Sequence, residues 1–543
     1  MYFLFFSLFL ASVPVFAVCG ADTSVSFQLP SIPGHLLTID QIEYKGAFRL
    51  PTGGVTPLTW QFGGQGLTFY PKGDPNGPDD GYPGSLFGLG HGYGYTISEI
   101  SIPVPVISTT KNVNELNHAQ TLQPFINVKS GCAVSGDVPP LTTQPHALGY
   151  LPKQGDQDTD KLYFSGYGDG YAPTEEWSRG WCSIDLSNPN PAGMWTLGTY
   201  SNFVAGNSYF QIPTEWANQY CPGKVLAIGG SYASTCGRLG CFKGPSLFAI
   251  SPWTQGGPPA PGTALLYTKL LEYNDTHPID AHVQDADSYV GGGWVEYGGK
   301  TAVIFFGKKD AGESYYGYPK NDSGHVVYDG DSTCKCTAVN CAGETYCWKT
   351  EGACGSGRGW TADWPRACIY LFDPDDIAMV AQGTMQPYEP KPYARFDFTD
   401  QIFDPGLQKR RIVSGAVDNE HGLFYAAEYQ ADGYAPIIHV FKVSGNVSVN
   451  NKDGSINKNV RITARPNPCN SSTVITITGM GTGLSYVDVY SVNGSRVNHV
   501  PIRNARPGLV TMIWDGNKQP SGIYIIKASI GECMVCKRLI LMR

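Results

Sequence analysis

Four carboxylates lie beside a repeated pattern of apolar runs, and two such groups in one pocket could perform acid–base chemistry. Asp169, Asp310 and Glu428 each follow an apolar run, and Glu296 lies in an extended stretch upstream of one. Hydrolysis of a glycosidic bond needs two carboxyl groups about 5 to 9 Å apart, one as acid and the other as base or nucleophile. These residues are the catalytic candidates if the fold brings two of them together.

Aromatic side chains accompany the carboxylates and offer flat faces on which sugar rings can stack. The stretches LFGLGHGYGY (86–95) and LYFSGYGDGY (162–171) both run from apolar to glycine-spaced polar and aromatic residues and end on Tyr. The candidate ligand-binding residues are His91, Tyr93, Tyr171, Tyr232 and Trp294. The alternative is that such residues fill space between packed sheets.

Two loops carry enough side-chain oxygens for a calcium site. The first, GDPNGPDDG (73–81), holds Asp74, Asn76, Asp79 and Asp80, and the second, GDQDTDK (155–161), holds Asp156, Asp158 and Asp160. Ca²⁺ takes carboxylate and amide oxygens as ligands. The second loop lacks the glycine and the distal Glu of an EF-hand loop. Solvated turns are the alternative for both.

The apolar runs recur, which indicates an all-β protein built from repeated small sheets. They begin at residues 86, 162, 225, 303 and 423, and each has a candidate strand upstream and downstream. Radial repetition of such sheets predicts a β-propeller over residues 35–445, five-bladed, with six or seven blades as alternatives. A series of β-sandwiches or a β-helix would be the competing architecture. The segment LLTIDQIEYKGAF (36–48) could complete the last blade.

The N-terminus and the cysteines indicate export. Residues 1–21 are apolar and end in small residues, which is typical of a cleaved secretory signal peptide, with a retained membrane anchor as the alternative. Six cysteines between residues 334 and 368 predict a disulfide-stapled insertion at about 329–368, rather than a zinc knuckle. The net charge of −8 and the lack of a Lys/Arg-rich run argue against nucleic acid as a partner.

The pattern changes after residue 445. Residues 446–460 are polar and Asn-rich, which is typical of a linker. Beyond them STVITITG alternates every second residue, and YVDVYSVNG ends in an Asn-Gly hairpin turn. Several short strands in residues 461–543 predict a small immunoglobulin-like β-sandwich.

This C-terminal region resembles the type A sorting domain of the type IX secretion system. The stretches RPNPCNSSTVITI, VDVYSVNGSRV, WDGNKQPSGIYIIKA and KRLILMR carry the resemblance over residues 461–543. Its landmark residues are Pro466, Asn467, Pro468, Asn493, Gly494, Gly522, Tyr524, Lys537 and Arg538. Cys469 departs from the family, where an aromatic or aliphatic residue is common, and could bond to Cys533 or Cys536.

The resemblance implies a bacterial source of the Bacteroidota type. It further implies Sec export to the periplasm, passage through an outer-membrane translocon, and a final location that is secreted or on the cell surface. The sorting domain says nothing about the rest of the chain, so three hypotheses remain there. The first is binding of a glycan or a surface partner, the second is glycoside hydrolysis by paired carboxylates, and the third is a structural or adhesive role.

Overall fold

The computed structural model divides the chain into two compact units, residues 1–446 and 447–543. It describes residues 32–75, 77, 79–130, 132, 145–166, 177–200, 205–232, 242–284, 287–310, 314–316, 334–339, 345–349, 360–362, 365–403, 412–444, 461–467, 469–478, 484–491, 496–501, 509–530 and 533–542. The predicted signal peptide and linker lie outside these residues. Within them, no helix is both long and apolar enough to cross a bilayer.

The first unit is all-β, and five antiparallel sheets account for most of its strands. Sheet 1 consists of β2 (Leu67–Tyr70), β3 (Ser85–Leu89), β4 (Thr96–Ser101) and β5 (Thr121–Asn127). Sheet 2 consists of β6 (Pro145–Leu151), β7 (Lys161–Gly166), β8 (Arg179–Ser183) and β9 (Ala192–Trp195). Sheet 3 consists of β10 (Ser208–Gln211), β11 (Leu226–Gly229), β13 (Leu247–Ile250) and β14 (Tyr267–Leu271). Each follows chain order from one edge to the other.

Sheets 4 and 5 use strands from more distant parts of the chain. Sheet 4 is ordered β12 (Ser231–Tyr232), β15 (Ser288–Tyr297), β16 (Lys300–Lys309), β21 (Arg366–Phe372) and β22 (Ala394–Asp397). Sheet 5 is ordered β1 (Ile42–Arg49), β25 (Ala435–Val443), β24 (Leu423–Asp432) and β23 (Ile412–Asp418). The strand β1 therefore pairs within the last sheet, with Phe48 opposite Ile438. Completion of a propeller blade by this segment stays a prediction.

The apolar runs form strands that are buried on both faces. β3 and β7 are buried at every position, and β16 from its third residue onward. A strand covered on both faces needs apolar residues in succession rather than in alternation. The runs are long because each sheet packs between two others.

One strand of each of the five sheets contacts one strand of the next in cyclic order, and we call these five the contact strands: β2 with β6, β6 with β10, β10 with β15, β15 with β23, and β23 with β2. A buried hydrogen bond accompanies several of these contacts. Tyr150 N–H donates to Thr68 Oγ1 at 2.9 Å between sheets 2 and 1, and Ser414 Oγ donates to Gly64 O at 2.6 Å between sheets 5 and 1. At the contact of sheets 4 and 5, Gly291 has φ +65°, and a Cβ there would lie 2.1 Å from Gly415 N. Only glycine allows the backbones to approach so closely.

Helices are few among the described residues. They are α1 (Thr214–Tyr220), α2 (Pro374–Ala381) and the 3₁₀ turns Ile39–Gln41, Val113–Glu115 and Thr399–Gln401. Two short ladders lie in or next to the Cys-rich segment 329–368: β17 (Ser314–Tyr316) with β20 (Trp360–Ala362), and β18 (Cys334–Val339) with β19 (Thr345–Lys349).

The second unit has two antiparallel sheets around an apolar core. One contains β26 (Arg461–Arg465), β27 (Ser472–Thr478) and β30 (Leu509–Asp515), and the other β28 (Leu484–Ser491), β29 (Arg496–Pro501), β31 (Gly522–Ile530) and β32 (Cys533–Leu541). Trp514 and Tyr524 belong to the core, where their rings lie 5.2 Å apart. Asn467 Oδ1 accepts the N–H of Ile540 at 2.9 Å, which holds the start of the unit against its last strand.

Five cysteines have free thiols: Cys132, Cys182, Cys221, Cys368 and Cys469. These are the described cysteines outside the two short ladders and β32. Cys368 was predicted to join the stapled insertion, but it lies buried in sheet 4 and its thiol donates to Arg366 O at 3.2 Å. The predicted bond from Cys469 to Cys533 or Cys536 is likewise not formed in this structure. The other disulfide predictions fall on cysteines whose side chains lie outside the described part.

Candidate functional site

Two of the predicted catalytic carboxylates lie at opposite ends of one hairpin. Glu296 is exposed beside the turn that joins β15 to β16, where it pairs with Thr301. Asp310 follows the far end of β16 and is only 2 % exposed. At about 3.3 Å per residue the two are roughly 30 Å apart. They cannot act on one glycosidic bond.

Glu428 is enclosed within sheet 5. Its carboxylate accepts the Phe403 N–H at 3.0 Å and lies 2.8 Å from His439 Nε2, and both side chains are fully buried. The other ring nitrogen of His439 bonds to Tyr44 Oη at 3.1 Å. This network joins β24, β25 and β1, so its position favours a structural role. Asp169, the fourth candidate, lies outside the described residues.

Asp310 does have a carboxylate neighbour that the sequence did not suggest. Its backbone N–H donates to Asp287 Oδ1 at 2.7 Å, and Lys309 Nζ donates to Asp287 Oδ2 at 2.6 Å. Lys308 Nζ lies 3.3 Å from Asp310 Oδ2. Burial raises the pKa of Asp287 to about 6 and also raises that of Asp310. All four side chains are buried, so this is an enclosed ion cluster rather than an open acid–base site.

Among the described residues, the candidate calcium ligands do not form a cluster of three or more carboxylates. Asp158 lies 3.2 Å from Lys161 Nζ, and Asp160 accepts from Lys72 Nζ at 3.0 Å. Asp156 and Asp158 line a cavity of about 420 Å³. In the other loop Asp79 is exposed, Asp74 and Asp80 are half-buried, and Asn76 is not described.

A carboxylate and histidine grouping that the sequence did not suggest occurs where α2 begins. His35, Asp373 and Asp375 offer ligand atoms within 4.8 Å of one another. Asp373 already caps the helix, accepting the Asp375 N–H at 2.9 Å. The partly exposed position and this capping bond give the grouping an ordinary structural explanation.

The predicted ligand-binding aromatics divide into buried and exposed ones. Trp294 is 2 % exposed and its ring lies 4.6 Å from that of Trp216, which favours the space-filling alternative for this residue. Tyr171 is not described, and Tyr232 lies in β12 with its side chain outside the description. Tyr93, in contrast, is 73 % exposed and stands beside the buried His91.

His91 and Tyr93 belong to a row of four rings that we call the aromatic ledge: Tyr434, Phe62, His91 and Tyr93. Tyr434 stacks on Phe62 at 4.7 Å and 24°, Phe62 meets His91 at 5.4 Å, and His91 meets Tyr93 at 4.6 Å. Tyr434 is 59 % exposed, so both end rings face solvent. Burial lowers the pKa of His91, which keeps its ring neutral near pH 7.

The backbone beneath the ledge is held by the contact between sheets 5 and 1. Phe62 N–H donates to Tyr434 O at 2.7 Å, and Gln65 Nε2 donates to Phe62 O at 3.0 Å. Phe62 has φ +56°, a conformation that is uncommon for an aromatic residue and that tends to occur where function requires it. Gln65 Oε1 is buried and has no hydrogen-bond partner among the residues that the structure describes. These contacts fix the position of the Phe62 ring under Tyr434.

A groove adjoins the ledge on the side of Tyr434. It has a volume of about 130 Å³, and we call it the side groove. Its wall includes Arg49, Thr59, Trp60, Gln61, Asp432 and Tyr434. An apolar face beside convergent polar groups is the usual composition of a small-ligand site.

Another cavity, of about 160 Å³, lies among residues in and beside the five contact strands. Residues from all five sheets line it, including Thr68, Tyr150, Gln211, Trp294 and Asn419. Several of its polar groups are already engaged. The side chain of Asn419, for example, accepts from Glu296 N and donates to Trp294 O.

The fold thus defines the class only as all-β, with several four-stranded antiparallel sheets. No protein-family model matches the chain, and no curated protein matches it. Among solved structures it is similar to PorZ, an essential bacterial surface component of the type-IX secretion system of Porphyromonas gingivalis, at 13 % identity and a TM-score of 0.25. The match covers 86 % of this chain and 51 % of PorZ, so the chain spans about half the length of that protein. So low a TM-score carries no argument about fold or function.

Proposed function

We propose that the first unit is a closed five-bladed β-propeller that presents a carbohydrate-binding site at the aromatic ledge. The cyclic contacts of the five contact strands support the ring, as does the cavity that residues of all five sheets line. Pairing of β1 with β25 supports closure of the last blade by the N-terminus. An experimental structure in which β23 and β2 do not touch would overturn the ring.

The single observation that carries the binding function is the ledge. Tyr434 and Tyr93 offer exposed rings, and the stack on Phe62 holds Tyr434 in place before any ligand arrives. A flat aromatic face suits the apolar face of a sugar ring, and a pre-ordered one loses less entropy on binding. Polar groups in the side groove would then meet the hydroxyls of the sugar.

Binding is favoured over hydrolysis because the described catalytic candidates do not form an accessible pair. Glu296 and Asp310 are at opposite ends of a hairpin, and Glu428 is enclosed. The carboxylate beside Asp310, that of Asp287, is buried with it, and each forms an ion pair with a lysine. Asp169 lies outside the described residues, and release of reducing sugar is the readout that tests it.

The test is affinity electrophoresis and calorimetry of the purified chain against a panel of polysaccharides, with released reducing sugar as a second readout. We expect binding without sugar release. Tyr434→Ala should weaken binding about five- to tenfold, because ring stacking contributes roughly 1 to 1.5 kcal/mol. Tyr434→Phe should retain most of the affinity, since it keeps the stacking face.

Tyr267→Ala is the matched control, because Tyr267 is also exposed but lies in sheet 3. It should leave affinity unchanged. Equal affinity of the wild type and Tyr434→Ala would refute the ledge as the site. Absence of binding across the panel, together with display on the cell surface, would favour the structural or adhesive role.

We further propose that the second unit is an immunoglobulin-like sandwich that directs export by the type IX secretion machinery to the medium or the outer-membrane surface. The sequence resemblance supports this, as do the two antiparallel sheets over the same residues. Among the landmarks, Tyr524 is in the core and its hydroxyl donates to Pro520 O at 2.7 Å, whereas Pro466, Gly522 and Lys537 are exposed. Pro468, Asn493 and Gly494 are outside the described residues.

Calcium binding by the two acidic loops of the first unit stays a prediction.

A further inference from the structure

The side groove contains an ion pair that bears on what the ledge would bind. Arg49 Nε donates to Asp432 Oδ2 at 2.8 Å, and Arg49 Nη2 donates to Asp432 Oδ1 at 2.9 Å. We propose that this pair makes the site select neutral sugars over acidic ones. The inference rests on the proposed carbohydrate binding and adds its substrate class.

The pair is placed where a ligand could touch it. Arg49 is the last residue of β1 and Asp432 the last of β24, which brings both to the edge where the β24–β25 turn presents Tyr434. Their side chains are 17 % and 14 % exposed, so they are mostly shielded from water but not sealed. Both line the groove together with Tyr434.

The pair keeps hydrogen-bonding capacity after its two mutual bonds. A carboxylate has about four acceptor positions and a guanidinium about five donors. Asp432 uses one acceptor position on each oxygen for Arg49, and among the described residues Arg49 Nη1 makes a single long bond, of 3.4 Å, to Asn114 Oδ1. Neighbouring hydroxyls of a sugar can both donate to Asp432 and accept from Arg49.

Charge decides between neutral and acidic sugars. The positive charge of Arg49 is already compensated by Asp432 in a two-bond geometry, which leaves little attraction for a second carboxylate. A uronate placed here would face Asp432 and would lose its hydration without gaining an unpaired cation. A neutral sugar is not repelled by Asp432 and has no charge to dehydrate.

The size of the groove adds a further restriction. Its volume of about 130 Å³ is close to that of a cavity of roughly 150 Å³ that takes up one benzene molecule. It can therefore admit about one sugar ring, while Tyr434 and Tyr93 extend the surface along the ledge. Recognition in the groove would fall on a single sugar unit.

The experiment compares affinity for neutral glucan or galactan oligosaccharides with affinity for polyuronate oligosaccharides of equal length. The wild type should prefer the neutral probes. Asp432→Asn removes the compensating charge, and it should shift the ratio of the two affinities towards polyuronate by about tenfold or more. Asp432→Glu keeps the charge and should keep the neutral preference. Glu43→Gln is the matched control, since it removes one negative charge from an exposed site on β1.

The outcomes separate this inference from the proposed function. A wild type that prefers polyuronate, or an Asp432→Asn variant that binds both probes with an unchanged ratio, would overturn it. A purely structural role of the pair would lower both affinities and the melting temperature together and leave the ratio unchanged. If the wild type binds neither class of probe, the carbohydrate function itself fails and the inference fails with it.

Discussion

Single residues on the ledge differ in what they contribute. Tyr434 and Tyr93 offer exposed faces, whereas His91 is 6 % exposed and supports its neighbours from behind. Its Nδ1 accepts the Tyr93 N–H at 3.1 Å, and its ring lies between those of Phe62 and Tyr93. The neutral ring of His91 is therefore part of what positions Tyr93.

The lowered pKa of His91 predicts a dependence of stability on pH. Burial disfavours the imidazolium, so the unfolded chain binds this proton more readily than the folded one. Neutral His91 therefore contributes to the free energy of unfolding above its unfolded-state pKa of about 6.5. This contribution is lost as the pH falls through the lower pKa that His91 has in the folded protein. The wild type should thus lose more stability on acidification than His91→Gln, in urea unfolding followed over that range.

His282→Gln provides the comparison, because His282 is exposed. The free energy of unfolding of His282→Gln should decrease on acidification as much as that of the wild type does. Parallel pH curves for the wild type and His91→Gln would show that His91 titrates normally in the folded protein.

At the scale of elements, β1 is held to sheet 5 by the buried network of Tyr44, His439 and Glu428. Truncating His439 to Ala leaves Glu428 buried without its imidazole partner, so we expect a loss of about 3 to 5 kcal/mol in the free energy of unfolding. Tyr44→Phe removes one hydrogen bond and should cost about 1 kcal/mol. Chemical denaturation measures both.

A double-mutant cycle with Glu428→Gln identifies the interaction. If the pair acts together, the two losses will not add, because each single change already breaks the contact. Lys45→Ala, on the same strand but with only a surface partner in Glu43 at 2.8 Å, should change stability by less than about 1 kcal/mol. Simple additivity of His439→Ala and Glu428→Gln would show that the network contributes little.

At the scale of the whole molecule, two compact units predict that export and binding are separable. A reporter carrying a signal peptide and residues 461–543 should leave the periplasm of a bacterium with a type IX secretion system. The same reporter should stay inside a strain without the translocon. Retention in both strains, measured by fractionation and immunoblotting, would contradict the proposed sorting role.

The sequence shows the motifs that contribute to the ledge, but it does not show which of them lie next to each other. His91 and Tyr93 were visible in LGHGYGY, and the ADGY that contains Tyr434 belongs to the same repeated pattern in the last sheet. Pairing of β1 with β25 and the contact of sheets 5 and 1 bring these two stretches together. Phe62 gave no signal, since nothing local predicts that its backbone bonds to Tyr434.

Glu428 is a residue for which the sequence pattern suggested a catalytic role that its surroundings do not favour. A glutamate after an apolar run looks the same in sequence whether it faces a pocket or is enclosed, and only the position of His439 and Phe403 decides. The sequence by itself determined the β class and the apolar runs, because strands covered on both faces require them. Which side chains meet depends on strand register and on contacts between distant sheets, and only the tertiary structure decided that.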